Sequence, residues 1–562
     1  MNYKKERQAL YDRIIERYRF SYEAHRDNRD LMERHMRQYL GSYEIDNSTE
    51  KAVTLRNITY EIIESQILPD IPYPKADPEC YTEKRAENAS LIERLCRSLR
   101  EKLPFEELND LDERYTYIYG GSVWYVEWDC GRSADGASGD VLVHCLSPMD
   151  FIPEPNVCEV SEMQYCFLKF TTSREELGRR YGIKGELLSL AECDFSYSSE
   201  TADEDTVTVI NALYRDGHGN ICKLVFSGEL ILSDVPNLYA RKTLSGDDEN
   251  GYPVYRDTYT ELLPEGVANA MGVSRSVNYY IPREMPIVIR RNTRCSPSLF
   301  GLSDCERIRP QQQAINKVES RILKKLLRSA VTPVMPEDAT VTLGNSVFGE
   351  IIRTRPGESL DSYGKIDTTP DVSQDIAEAD RLYDHAKRVL GISDALQGTD
   401  TTNAESGYAR NLKIKRAESR LETKKRMKYH AYSALYRLIF LHYLAFSDEP
   451  RNLSYKDMGG ISHSVCFDRF SFLEADGREP YYSDAYLFSV DLNTENDYTR
   501  EASWDRNLKN LESGTLGEKS SAYTLLRYWQ MQEMAHYPFA RENVDYFKAL
   551  INSQDENETK KE

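Results

Sequence analysis

The sequence lacks the signatures that usually mark an enzyme. It has no G-x-x-x-x-G-K-[ST] loop, so it offers no backbone cradle for nucleotide phosphates by that route. H-E-x-x-H, G-x-S-x-G and the protein-kinase set are also missing, which removes three common catalytic readings. The nine histidines are dispersed, and no acidic pair stands beside a matching base. The expectation is a protein with no chemistry of its own, no cofactor and no metal.

Paired cysteines are missing too. The eleven thiols include no C-x-x-C, and an odd, scattered set implies free thiols in a reducing compartment. His144 stands next to Cys145, with Cys130, Cys158 and Cys166 nearby, but these spacings match no zinc pattern. They read as small buried hydrophobes. The longest strongly apolar stretch, Leu435 to Phe446, is too short to span a bilayer and contains Arg437 and His442. The first residues, MNYKKERQAL, carry charge without an apolar core, so no secretory signal is expected. A soluble, cytoplasmically made protein follows as the expectation.

Positive charge is in deficit, with 72 bases against 92 acids and a formal net charge of -20. A module that grips duplex DNA should be basic, because phosphate contacts dominate its affinity. This balance disfavours a gripping module. It leaves open a protein that surrounds DNA without holding it tightly.

What is present divides the chain by character. Residues 1 to about 41 read as charged helix, with Leu10, Ile14, Ile15, Tyr18 and Tyr22 in a partial apolar stripe. A second helix is predicted from Asn57 to Leu68, before Pro69, Pro72 and Pro74, and a third from Thr82 to Lys102, before Pro104. Tyr115–Tyr119 and Val123–Asp129 then flank Gly120-Gly121, and Val141–Leu146 follows. These short aromatic and β-branched runs predict a β-meander. Tyr165–Phe170 adds a strand, and Thr206–Tyr214, Ile221–Phe226 and Glu229–Leu232 a small sheet. Glu192–Asp205 and Ser245–Asp257 read as solvated acidic loops. Asp203, Glu204 and Asp205 find no complementary metal ligands there.

Helices dominate from Ser303. Ser303 and Glu306 form an S-x-x-E capping box, and Ile315, Val318, Ile322 and Leu326 make one apolar face ending near Ser329. Lys317, Arg321, Lys324 and Arg328 run along another face. Pro333 and Pro336 end this helix, and residues 340–366 hold short β-prone pieces, Thr340–Leu343 and Glu350–Thr354, among glycines. A partner helix begins near Asp371, with Ile376, Ala379, Tyr383, Ala386 and Leu390 on one face and Gly391 as C-cap. Each helix is about 30 Å long. Ser393–Asn403 is polar and threonine-rich. Thr402 and Glu405 then open a helix running to Phe446, about 60 Å long, basic over Arg410–Lys428 and apolar at Leu435, Leu438, Ile439 and Leu441. A strand at Ala485–Val490 and two or three helices over Ala502–Ile551 close the chain before a charged tail, Ser553–Glu562.

Several stretches, in this order, resemble the portal (head–tail connector) proteins of long-tailed bacteriophages. Upstream these are Arg56-Asn57-Ile58-Thr59-Tyr60-Glu61-Ile62-Ile63-Glu64, Tyr119-Gly120-Gly121-Ser122 with Val123-Trp124-Tyr125-Val126, and Ser147-Pro148-Met149-Asp150-Phe151-Ile152-Pro153. Downstream are Pro286-Ile287-Val288, Phe300-Gly301-Leu302-Ser303-Asp304, Gln313-Ala314-Ile315-Asn316, Leu390-Gly391-Ile392-Ser393-Asp394 and Ser406-Gly407-Tyr408-Ala409. The resemblance covers roughly residues 50 to 550, and the shared order is its specific part.

The resemblance implies an α+β portal fold in a ring-shaped homo-oligomer, with mainly helical crown and stem, an α/β wing and a small β-containing clip. It assigns residues 1–302 to N-terminal helices and wing, 303–329 and 371–392 to the stem helices, and 330–370 to the clip. Residues 393–403 become the tunnel loop, 404–501 the long wing helix and wing sheet, and 502–562 the crown and tail. Double-stranded DNA would pass the channel beside Gly398, Thr399, Asp400, Thr401, Thr402 and Asn403, which either touch the DNA backbone briefly or form an ordinary solvated turn. Lys317, Arg321, Lys324, Lys325 and Arg328 of the stem either make transient phosphate contacts or, more plainly, pair with acids of neighbouring subunits. Likewise the Arg410–Lys428 bases either serve the channel or balance an acidic neighbour. Glu337, Asp338, Arg353, Arg355 and Glu358 of the clip would dock the terminase large subunit and later a head-completion or tail adaptor protein. The major capsid protein, and scaffold during assembly, would surround the wing at one vertex of a virion built in a bacterial host cytoplasm. Twelve subunits, as the family implies, would carry roughly -240 formal charges, a wall that lets a duplex slide without sticking. The rival readings are a phage DNA-processing enzyme such as a nuclease, which needs a metal-binding carboxylate set, and a minor capsid or scaffold protein.

Overall fold

The computed structural model describes residues 2–42, 56–134, 137–183, 206–228, 230–247, 253–295, 298–328, 331–334, 342–346, 349–353, 364–367, 371–392, 407–456, 462–491, 497–534 and scattered positions from 540 to 551. It is mixed, 51% helix and 26% strand, so neither an all-helical bundle nor an all-β sandwich describes it. Among the described residues no sheet closes into a barrel, and no helix is long and apolar enough to cross a membrane.

Helices α1 (Asn2–Ala24) and α2 (Arg26–Tyr39) replace the single N-terminal helix expected, breaking at His25. α3 (Ile58–Glu64) is capped by Asn57, whose side chain accepts from Tyr60 N, and stops four residues short of the predicted Leu68. β1 (Tyr73–Pro78) leads to α4 (Glu83–Lys102), begun where the Thr82 hydroxyl accepts from Arg85 N. α5 (Phe105–Tyr119) corrects the β-meander: Tyr115–Tyr119 is the end of a helix, not a strand. Its aromatic run favours β locally, but Tyr117, Ile118 and Tyr119 are buried against Tyr39, Ile63 and Cys305, and that packing decides. Gly120, at φ +92°, ends the helix in the left-handed conformation.

β2 (Gly121–Ala134), β3 (Ala137–Leu146), β4 (Phe151–Pro153) and β5 (Tyr165–Ser173) follow, then α6 (Arg174–Tyr181), β6 (Thr206–Arg215), β7 (Ile221–Ser227) and β8 (Leu230–Val235). β9 (Arg241–Asp247) and β10 (Pro253–Thr258) pair as a hairpin, which corrects the loop expected at Ser245–Asp257. The acidic run Asp247, Asp248 and Glu249 dominated that reading, whereas the strand-prone flanks set the backbone. β11 (Thr260–Leu262), α7 (Glu265–Met271), β12 (Ser276–Asn278) and β13 (Ile287–Arg291) complete the N-terminal half.

Next come α8 (Asp304–Arg328), β14 (Val331–Val334), β15 (Thr342–Ser346), β16 (Gly349–Arg353), β17 (Gly364–Asp367), α9 (Ser373–Leu390) and α10 (Gly407–Phe446). Hairpins β18 (Arg451–Lys456) with β19 (Ser462–Phe467), and β20 (Leu473–Asp476) with β21 (Glu479–Tyr482), were not anticipated. β22 (Tyr486–Asp491), α11 (Asp497–Glu512) and α12 (Ala522–Met534) match the expected closing strand and helices.

The larger sheets are antiparallel, ordered β4-β5-β6-β7-β8 and β13-β2-β3. β1 pairs with β22 across more than 400 residues of sequence, Tyr73 opposite Asp491. The main core gathers on the second half of α10, where Tyr432, Leu435, Tyr436, Ile439, Phe440 and Leu444 are all fully buried. A helical stretch this apolar over most of its circumference belongs inside, with Arg437 on the remaining side pairing Glu284. Each such side chain contributes about 1.5–3 kcal/mol of transfer free energy, so this half of α10 organises the body around it.

Candidate functional site

Helices α8 and α9 pack side by side and antiparallel. Near the base, Ile308 and Ile315 of α8 meet Tyr383, Ala386 and Leu390 of α9, with Ile58 and Ile62 of α3 closing the cluster. Further along, Val318 and Ile322 meet Ala379, with Val372 and Leu382 partly buried beside them; every member of this cluster belongs to the hairpin. The expected apolar stripes therefore hold up to Ile322 and Ala379. Leu326 and Ile376, beyond them, are about half exposed, because among the described residues no third element covers the rods there. α8 is about 37 Å long by its 25 residues. The chain leaves it through β14 and returns through β17, which pair antiparallel with Val331 opposite Asp367, and β15 and β16 form a second pair between them.

One acid clasps the far end of the hairpin. Asp375 accepts from Arg321 (2.5 Å) and Lys325 (2.5 Å), both on α8. Lys325 first, then Arg321, holds its carboxyl below the usual carboxylate range. The two long cationic side chains help to cover Asp375, which is 6% exposed.

The base of the hairpin is anchored by buried charge. Asp304, at the start of α8, pairs with Lys424 of α10 and accepts from Asn292 Nδ2 (2.9 Å). Lys424 also donates to Gln66 (2.8 Å). One helical turn on, Lys428 pairs with Glu113 of α5 (2.9 Å) and donates to Leu68 O (3.0 Å). Arg290 of β13 pairs with Glu113 (2.8 Å) and with Asp112, which also accepts from Trp124 Nε1 (2.9 Å) and Ser122 Oγ. Burial alone would raise the Glu113 pKa, but Arg290 and Lys428 outweigh it and hold it low. Burial pulls Lys424 and Lys428 down, against the upward pull of Asp304 and Glu113. Three acids and three bases thus balance in a space closed to water. Such a network fixes which residues meet more than it adds net stability, since apolar replacements of whole networks are often neutral.

Two glycine stretches meet beside this anchor. Gly120 O accepts from Gly301 N (2.9 Å) and Asn292 N (3.0 Å), and Leu302 N donates to Thr293 O (2.9 Å). A Cβ on Gly120 would lie 2.3 Å from Gly301 O, and one on Gly301 2.7 Å from Thr293 O, so neither position admits a side chain without movement. The Ser303 hydroxyl accepts from Glu306 N (3.4 Å), as its capping box predicts, and donates to Ile118 O (2.5 Å). Glu306 does not close the box. Its carboxylate turns instead to His35 (3.1 Å) and Arg309 (3.0 Å). Within α8 the buried polar pair is Gln312 with Asn316, not Gln313. The Gln312 amide donates to Asn316 (2.8 Å) and Arg56 O (2.9 Å), and accepts from Thr59 N (3.1 Å).

Of the sequence-predicted site residues, Lys317 and Lys324 are exposed on α8, while Arg321 and Lys325 serve Asp375. Arg328 closes α8, its side chain outside the described residues. Arg353 ends β16 opposite Thr342, again with its side chain outside them. Glu337, Asp338, Arg355 and Glu358 of the clip, and Gly398, Thr399, Asp400, Thr401, Thr402 and Asn403 of the tunnel loop, lie outside the described residues. In the basic stretch of α10, Lys424 and Lys428 balance acids of this same chain. Sequence reasoning missed Asp375 and the anchor residues Asp112, Glu113 and Arg290, and met Asp304 only as the last residue of the Phe300–Asp304 motif. The one available signal was Lys424 and Lys428 spaced four apart on a helix. The cysteines and histidine near residue 144 do not gather: Cys166 is buried, Cys130 is exposed, and His144 lies 3.3 Å from Glu127.

No protein-family model and no curated protein matches this sequence. Among solved structures, the chain is similar to one described as the neck of a native GTA particle computed with C12 symmetry, with a TM-score of 0.34, 10% identity, 80% of this chain covered and 85% of that one.

Proposed function

We propose that this chain is a portal protein, forming the ring at one capsid vertex of a tailed bacteriophage through which double-stranded DNA is packaged and ejected. One observation carries the reading: α8 and α9 form an antiparallel hairpin whose far end, among the described residues, packs on itself, bridged by a β pair and fastened to the body by buried charge. A rod built this way suits side-by-side repetition around an axis. Its resemblance-derived motifs Tyr119–Ser122 and Phe300–Asp304 pack on one another at the rod's base, which gives their shared order a physical reason.

In this reading twelve copies enclose the channel, and the net charge of -20 per chain keeps a duplex from binding the wall. The stem bases Arg321 and Lys325 are engaged by Asp375, while Lys317 is exposed on α8 and is the stem cation for phosphate or for acids of the next subunit. The terminase large subunit, then a head–tail adaptor, docks on the clip, and the major capsid protein surrounds the wing. The chain itself catalyses nothing, and packaging energy comes from the separate terminase ATPase. Negative-stain imaging with mass measurement of the purified protein tests this. Discs with a central hole are expected; a stable monomer at high concentration overturns the reading, and divalent-dependent plasmid cleavage supports the nuclease instead.

A further inference from the structure

A cavity of about 380 Å³ lies between α4 and the β18–β19 hairpin, remote in sequence from the stem. α4 contributes Ser90, Glu93, Arg94 and Arg97; the hairpin contributes Tyr455, His463 and Ser464. Arg94 and Arg97 sit one turn apart and so face the same way. Elsewhere in this acid-rich chain, arginines near or under the surface find carboxylates: Arg85 with Glu474, Arg114 with Glu64, Arg291 with Glu159. These two do not. Neither makes an ion pair or hydrogen bond among the described residues, and Arg97 Nε is shielded from water with no acceptor. The Arg97 guanidinium lies 6.0 Å from the Tyr73 ring and near enough to Glu93 for its charge to act on that carboxyl, without forming an ion pair with it.

The single carboxylate at the cavity is already engaged. Glu93 accepts from Ala76 N (3.1 Å), and burial pushes its pKa up against the opposing pull of that bond and of the Arg97 charge. Leaving a shielded guanidinium donor unpaired is unfavourable, which indicates a missing acceptor. The donors present are two planar forks and three hydroxyls, from Ser90, Ser464 and Tyr455. That exceeds what the two oxygens of a carboxylate can accept, and suits a tetrahedral oxyanion with three free oxygens and nearly two negative charges. The volume exceeds what a bare anion needs and leaves room for an ester substituent.

We propose that this cavity binds a phosphate group, free or as a monoester, with Arg94 and Arg97 as its principal ligands. The site does not depend on the portal reading. Calorimetric titration of the full chain with inorganic phosphate is the test, followed by a 5′-phosphorylated dinucleotide and the same dinucleotide without its phosphate. Saturable binding at one site per chain is expected, weakened about tenfold or more in R94Q and in R97Q, with R97K retaining more than R97Q. Arg94 is exposed, so R94Q is expected to fold normally even if R97Q does not. Tighter binding of the phosphorylated dinucleotide supports an esterified source, and equal binding supports free phosphate. No response to either phosphate probe, unchanged affinity in R94Q, or binding of an acidic peptide in place of phosphate overturns the proposal.

Discussion

Asp304 and Lys424 are 120 positions apart in sequence, yet their charges meet in a space that water does not reach. The contact joins the first residue of α8 to the long helix that organises the core, so the orientation of the hairpin depends on it. Replacing Asp304 by Asn leaves Lys424 buried without a countercharge, beside Gln66 and the Tyr117 ring. A loss of about 3–5 kcal/mol is expected. Urea denaturation of D304N checks the size, and D304N/K424M should recover part of it. A double variant as unstable as the single one would mean that the pair is not the cause.

At the other end of the hairpin, Asp375 gathers Arg321 and Lys325. D375N should leave the base intact while amide exchange over residues 373–379 quickens. Because the folded carboxyl titrates below its unfolded value, near 3.9, its contribution is present above about pH 4 and disappears as the pH falls further. The wild type should therefore approach D375N in acid.

His442 is fully buried, its Nδ1 2.8 Å from Leu438 O and its ring packed by Tyr239 and Phe446. Burial pushes its pKa down to about 4. Between about pH 6.5 and 4 the unfolded chain takes up a proton that the folded chain refuses, so stability is full above this window and falls through it. The loss amounts to roughly 3 kcal/mol by pH 4. Chemical denaturation at pH 7 and pH 4.5 should show a smaller drop in H442Q than in the wild type.

The Gly120–Gly301 crossing leaves no room for a methyl group on either partner. G301A is expected to lose about 1–3 kcal/mol through forced movement of the Thr293 and Gly120 backbone. Gly182 is the control: at φ +66° with nothing within 4 Å, its alanine variant bears only the left-handed strain, about 1 kcal/mol. Equal thermal shifts for the two would show that the crossing tolerates expansion.

Charge reversal on the stem separates DNA contact from clasp. Lys324 is exposed on α8 and does not serve the clasp, which Lys325 forms with Asp375. In packaging assays, K324E should alter packaged length or retention if the stem bases touch DNA, and K325E should in addition loosen the hairpin. No change in either measure for K324E removes the direct DNA role.

Much of the architecture was legible beforehand because it is written in local periodicity. The two stem helices, the Gly391 cap, the glycine-flanked β2–β3 hairpin and the buried half of α10 each follow from residues within a few turns of one another. Where local signals compete, the outcome belonged to packing. Tyr115–Tyr119 has strand-like composition, but its aromatic side chains gain more by closing against Tyr39, Ile63 and Cys305 as a helix. The pairing of β1 with β22 and the four-element charge anchor bring together side chains separated by about 120 to 400 residues. No spacing rule in the chain announces them. A buried lysine and an exposed lysine read identically in sequence, since the partner that makes burial tolerable is contributed by another element. The sequence by itself determined the rods, the apolar stripes and the acidic balance. Only the tertiary structure decided which charges are sealed inside, which clasp the hairpin, and which remain exposed to meet something else.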